Sequence, residues 1–113
     1  MRRGQLASAI GSFSALIGLA PDFTEAWNKR ATVYFLIGED DRSIADCEEV
    51  LQREPNHFGA LSGYGQLMLR KRDYERALGY FERALTVNPN LQGVSENIEA
   101  LKRAIDRGNG DEV

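Results

Sequence analysis

Any reaction centre in this chain of 113 residues would have to be built from few parts, because it has one histidine, His57, and one cysteine, Cys47. A lone histidine cannot form a histidine pair around a metal, and a lone cysteine excludes an internal disulfide and a cysteine-based zinc site. His57 stands in the turn Pro55-Asn56-His57 with no carboxylate placed to partner it in acid–base work, so a local turn contact is expected. Cys47 falls on a helix face expected to be buried, without a basic neighbour to lower its pKa, and reads as a core thiol. The adjacent carboxylates Asp40-Asp41 and Glu48-Glu49 read as helix N-terminal charge and as a solvated helix face. Gly63-x-Gly65 lies inside a helical stretch and not between a strand and a helix, which rules out a phosphate loop. Arg70-Lys71-Arg72 is the one basic run and sits at a helix C-terminus, where cations are stabilising. The expectation is a protein that is not an enzyme and uses no cofactor and no metal.

The bulk properties agree with a single soluble domain. Hydrophobic residues make up 42% and charged residues 27%, and the net charge of −3 gives no general attraction to nucleic acid or to an anionic membrane. Neither is expected as a partner.

The elements that must carry any function are helical and repeat. Residues 58–91 hold two amphipathic segments, with Leu61, Gly65 and Met68 on one face of the first and Ala77, Phe81 and Ala84 on one face of the second. The only prolines, Pro21, Pro55 and Pro89, are each 34 residues apart, a period that points to stacked helical hairpins. Leu61, Tyr64-Gly65, Met68, Ala77, Phe81, Ala84 and Pro89 resemble the tetratricopeptide repeat. The preceding unit matches through Trp27, Ala31, Tyr34, Gly38, Val50 and Pro55, and departs at Arg30, Ser43 and Cys47. Ala9, Phe13, Leu16 and Pro21 fit the second helix of a first unit whose own first helix is absent.

The resemblance implies an all-α fold of stacked antiparallel helix hairpins forming a short right-handed superhelix, an α-solenoid of about six helices. Its parts are a half repeat at 4–22, full repeats at 24–57 and 58–91, a capping helix at 92–107 and a flexible tail at 108–113. The helix near Glu25–Ile37 places Trp27, Ala31 and Tyr34 inward, with Arg30 at the edge, its stem on apolar surface and its head in water. The helix near Arg42–Arg53 buries Ile44, Cys47, Val50 and Leu51 and exposes Asp46, Glu48, Glu49 and Arg53. The last helix buries Val94, Ile98, Leu101 and Ile105.

The N-terminal stretch has two readings. Arg2-Arg3 ahead of the apolar and small residues Leu6–Ala20 has the form of a secretory signal, and the alternative is the half repeat. The half repeat is preferred, since a signal gives no reason for Pro21 to stand in register with Pro55 and Pro89. The chain is placed in the cytoplasm by default, or exported if residues 1–20 act as a signal. Ser8, Ser12 and Ser14 in so short a stretch argue against a membrane span.

In the family the first helix of each hairpin lines a concave groove that binds peptides or proteins. That resemblance makes Asn28, Thr32 and Leu36, then Gly59, Ser62, Gly63, Gln66 and Arg70, then Asn97, the partner-binding residues. Gly59 and Gly63 either admit a peptide backbone or relieve a helix crossing. A family branch that captures the C-terminal carboxylate of heat-shock chaperones uses a clamp of Lys, Asn and Arg. Asn28 fits such a clamp, but Thr32 and Gly63 replace its asparagines, and Gly59 and Gly93 supply no cation. The absent first helix leaves Leu6, Ala9, Phe13 and Leu16 as a self-association edge, which a homodimer, a fold-back of the N-terminal segment or the rest of a longer array would cover.

Overall fold

The computed structural model describes residues 2–90 and 92–111. Every regular element among them is an α-helix: α1 (Arg3–Leu19), α2 (Thr24–Leu36), α3 (Asp40–Arg53), α4 (Phe58–Arg70), α5 (Tyr74–Val87) and α6 (Gln92–Asp111). The chain divides into two units, residues 1–55 and 56–113. In the first, α2 packs against both α1 and α3; in the second, α5 packs against both α4 and α6. Within each unit, connections of three or four residues make neighbours antiparallel.

The turn inside each full hairpin needs one residue in the left-handed region. Gly38 takes it at φ 81°, and Arg72, in register 34 residues on, takes it at φ 63°. Glycine adopts that conformation freely, whereas a residue with a Cβ bears a cost of roughly 1–2 kcal/mol.

The same register comparison explains the core. In the second unit α4 and α5 cross where Gly65 has no side chain; a Cβ there would lie 2.9 Å from Phe81 Cε1. Phe81, Ala77 and Ala84 are fully buried. The equivalent positions in the first unit are Ala31 and Cys47, larger on the first helix and smaller on the second, and both are buried. Ser43, in register with Ala77, is buried too and donates its hydroxyl to the Ala31 carbonyl at 2.7 Å. A hydroxyl there is tolerated because it is hydrogen-bonded.

Two charges correct the expected pattern. Asp46 does not lie on a solvated face: its side chain is 4% exposed and takes both ends of the Arg30 guanidinium, Nε to Oδ2 and Nη2 to Oδ1, each at 2.8 Å. Arg30 therefore does not send its head into water. It is 18% exposed, donates a further bond to Ser14 Oγ at 3.0 Å and lies over the rings of Trp27 and Tyr34. One side chain on α2 thus ties α1 and α3. Its pKa is raised, chiefly by the hydrogen bond to Asp46, against the opposing effect of burial. In the second unit the equivalent pair is Tyr64 and Tyr80, stacked with ring centroids 4.2 Å apart.

The remaining differences are smaller. Ile44 and Leu51 are half-buried, as is Ile105, while Glu49 and Arg53 are half-buried and paired at 2.8 Å. The last helix runs on to Asp111 where a flexible tail from Gly108 was expected, and residues 112–113 lie outside the described residues.

Replacing Asp46 alone, by Ala, leaves a largely buried guanidinium without its counter-ion and is expected to cost about 3 kcal/mol. The double variant Arg30→Tyr/Asp46→Tyr, which copies the stacked pair, should be more stable than either single variant by denaturant unfolding. Gly65→Ala gains helix propensity but meets the Phe81 ring, for a net loss of about 1–2 kcal/mol. Adding Phe81→Cys, the combination the first unit uses, should make the Ala nearly free of cost relative to Phe81→Cys alone.

Candidate partner-binding faces

The residues that could have carried chemistry have structural occupations. His57 precedes α4, and its Nδ1 accepts a hydrogen bond from the Ala60 N–H at 3.1 Å, capping the helix. Cys47 is buried, and burial first, then the Asp46 and Glu48 charges, push its thiol up to about 12. Asp40 and Asp41 occupy the first turn of α3, where the helix dipole favours negative charge. Among the described residues no group of three or more His, Cys, Asp and Glu side chains is placed to hold a metal ion. No helix among them is long and apolar enough to cross a membrane.

What remains are the outer faces of the helices. On α2, with Ala31 and Tyr34 turned into the core, Asn28, Thr32 and Leu36 follow one another at four-residue steps. Asn28 is half-buried, Thr32 is exposed with its hydroxyl donating to the Asn28 carbonyl at 3.1 Å, and Leu36 is 59% exposed. On α4, with Leu61, Tyr64, Gly65 and Met68 inward, Ser62, Gln66 and Arg70 make the same progression. Ser62 and Gly63 are half-buried, while Gly59, Gln66 and Arg70 are exposed. Each member of the second set stands 34 residues after its counterpart in the first. The buried stripe of each first helix thus turns the same outer stripe away from the hairpin's core. Asn97, on α6, is half-buried.

The two end helices differ in kind. Leu61, Gly65 and Met68, through which α4 meets α5, become Ser95, Glu99 and Lys102 on α6. Those three line a trough of about 520 Å³ beside Leu85, Thr86 and Pro89. At the other end Ala9, Phe13 and Leu16 stand in register with the fully buried Ala77, Phe81 and Ala84, yet are only half-buried. Leu6, the fourth residue of the expected edge, is buried within the chain's own first unit.

The profiles of the tetratricopeptide repeat match residues 1–56 and 58–91. The chain belongs to the tetratricopeptide-repeat family. A TPR repeat-containing protein of Rhizobium etli is 36% identical over 94 residues, which are 83% of this chain and 46% of that one. The human DnaJ homolog subfamily C member 3 is 31% identical over 87 residues, 77% of this chain and 17% of the relative. The chain spans less than half the length of these relatives. Among solved structures, the first TPR of Spaghetti (RPAP3) bound to the HSP90 peptide SRMEEVD superposes with a TM-score of 0.87 at 20% identity, covering 92% of this chain and 82% of that one. The TPR2B domain of yeast Sti1 in its pHsp70 complex gives 0.81 at 17% identity, covering 90% and 86%. The tetratricopeptide fold generally serves protein–protein interaction and not catalysis, and this chain is an all-α helical repeat of that kind.

The altered thiol gives a direct check. Folded Cys47 should react with a disulfide reagent at pH 8 orders of magnitude more slowly than after denaturation. Because its folded pKa lies above the unfolded value of roughly 8.5, its contribution to stability is fully present below that pH. It is lost as pH climbs from there towards 12, and Cys47→Ala should flatten that part of the stability profile.

Proposed function

We propose that this TPR protein is a non-catalytic adaptor that binds a peptide or an extended segment of a partner protein through the outer stripe of a hairpin's first helix, α2 in the first unit or α4 in the second. The observation that supports it is the matched set Asn28/Ser62, Thr32/Gln66 and Leu36/Arg70, the same outer stripe on the first helix of successive hairpins. Uncharged hydrogen-bonding groups suit a peptide backbone, and Leu36 supplies an apolar anchor. Asn97 on α6 and the side-chain-free positions Gly59 and Gly63 on α4 extend the same reading. The partner is engaged through an internal segment and not through a terminal carboxylate, since Gly59 and Gly93 stand where a clamp would place cations.

A peptide library displayed on phage and panned against the protein supplies ligands to test this. Leu36→Ser should weaken a selected peptide bound by α2, and Gln66→Ala one bound by α4, about tenfold or more, roughly 1.4 kcal/mol, with unchanged thermal unfolding. Selected binders indifferent to both changes would sink the proposal. The acidic peptide SRMEEVD should bind no better than its C-terminal amide, whereas a strong preference for the free carboxylate would show a clamp.

A further inference from the structure

The face of α5 turned away from the second unit's core carries a cleft that packing does not require. Arg76, Gly79 and Arg83 follow one another at three- and four-residue steps along one stripe of the helix, with Tyr80 beside them. These four residues line a hollow of about 230 Å³. Gly79 forms its floor. It is exposed in the middle of α5, and a Cβ there would meet nothing within 4 Å. Alanine would fit and would favour the helix, so no close approach demands the glycine. Tyr80 forms the wall. Its ring is held by the stack on Tyr64, and the Arg83 guanidinium carbon lies over it, 5.4 Å from the centroid. Arg76 approaches the Asp73 carboxylate at 3.9 Å, beyond hydrogen-bonding range, and both side chains are exposed. The same register of the first unit holds different parts: Arg42, Ala45, Asp46 and Glu49. There a glutamate replaces one arginine, the glycine has gained a methyl group, and the tyrosine has become the counter-ion of Arg30.

We infer that this cleft seats a phosphate monoester carried on a side chain of a partner protein. Charge selects an anion, because two guanidiniums and no acid line the hollow. Geometry selects a phosphate. Arg76 and Arg83 are seven residues apart, about 10.5 Å along the helix axis, so their long side chains can converge over Gly79 from the two ends. Each guanidinium offers a fork of N–H donors. A carboxylate has two oxygens and fills one fork, whereas a phosphate monoester has three terminal oxygens and accepts from both. The flanks select a narrow ligand. Exposed Glu75 and Glu82, each one residue before an arginine, form an acidic ridge beside the stripe that repels a nucleic-acid backbone or an anionic membrane. The open side selects a group that projects from a larger surface, since one helix cannot enclose a free metabolite. None of the four residues lies on the outer stripes of α2 or α4, so this site is independent of the peptide-binding reading.

The probe is a capped alanine pentapeptide with phosphoserine at its centre, titrated into the nitrogen-15-labelled protein at constant ionic strength. The Gly79 amide and the Arg76 and Arg83 Nε–H signals should move together and saturate with a Kd of about 1 mM. Inorganic phosphate should displace the peptide, and the same peptide with glutamate at its centre should bind at least about tenfold more weakly. Arg76→Gln and Arg83→Gln should each weaken the phosphopeptide about tenfold, while Arg103→Gln on α6 should change nothing. Gly79→Leu fills the cleft with a better helix former, so it should abolish binding and raise the thermal midpoint, which separates loss of the site from loss of the fold. No movement of these signals up to about 20 mM peptide overturns the inference. So does binding that survives Gly79→Leu, a glutamate peptide that matches the phosphopeptide, or a site that takes inorganic phosphate and not the peptide.

Discussion

Everything in this chain depends on how closely the two helices of a hairpin can cross. A first helix and its second helix meet at one small position, Gly65 or Ala31, and the volume withheld there is filled by the residue opposite in register, Phe81 or Cys47. Dense packing leaves little slack at such a contact, so a change on one side is felt on the other. The crossing fixes the rotation of each helix about its own axis. That rotation decides which stripe is buried and which is left to meet a partner.

The outer stripes follow from this constraint. Because Ala31 and Tyr34 on α2, and Gly65 and Tyr64 on α4, are turned inward, residues at positions such as 28, 32 and 36, or 62, 66 and 70, are turned outward. Their side chains can vary without disturbing the core, which is how one scaffold serves many ligands. The end helices obey the same geometry with opposite chemistry. Polar replacements on α6 let it face water, whereas α1 keeps the core-type residues Ala9, Phe13 and Leu16 only half-buried.

Much of this was legible in the residues. Three prolines at one interval, Gly38 in its turn and the Leu61, Gly65, Met68 stripe identify the hairpins and their register. The burial of Asp46 was not legible from periodicity, which assigns every carboxylate to water unless a counter-charge is seen. Its partner Arg30 lies 16 residues away on another helix, and only comparison with Tyr64 and Tyr80 marks the two as a pair. The cap on α4 was missed because histidine is not among the usual capping residues, although its ring nitrogen accepts as well as an oxygen. α6 continues through Gly108 and Gly110 to Asp111 against the propensity of glycine. The outer stripes were readable as faces, but the identity of a ligand is a property of two molecules, and the chemistry of one stripe bounds it only to a class.

The Arg30–Asp46 bridge and the Tyr64–Tyr80 stack occupy one register with two incompatible chemistries, and that limits how this chain can change. A lone exchange from one solution towards the other sets a guanidinium or a carboxylate against a ring, so each single step is worse than either end point. The neighbouring pairs Ala31/Cys47 and Gly65/Phe81 are linked in the same way, with volume in place of charge. Substitutions at these sites are therefore epistatic, and the unit that can be recombined intact is the whole hairpin. A break between its two helices would splice mismatched halves; a break at the proline turn would not.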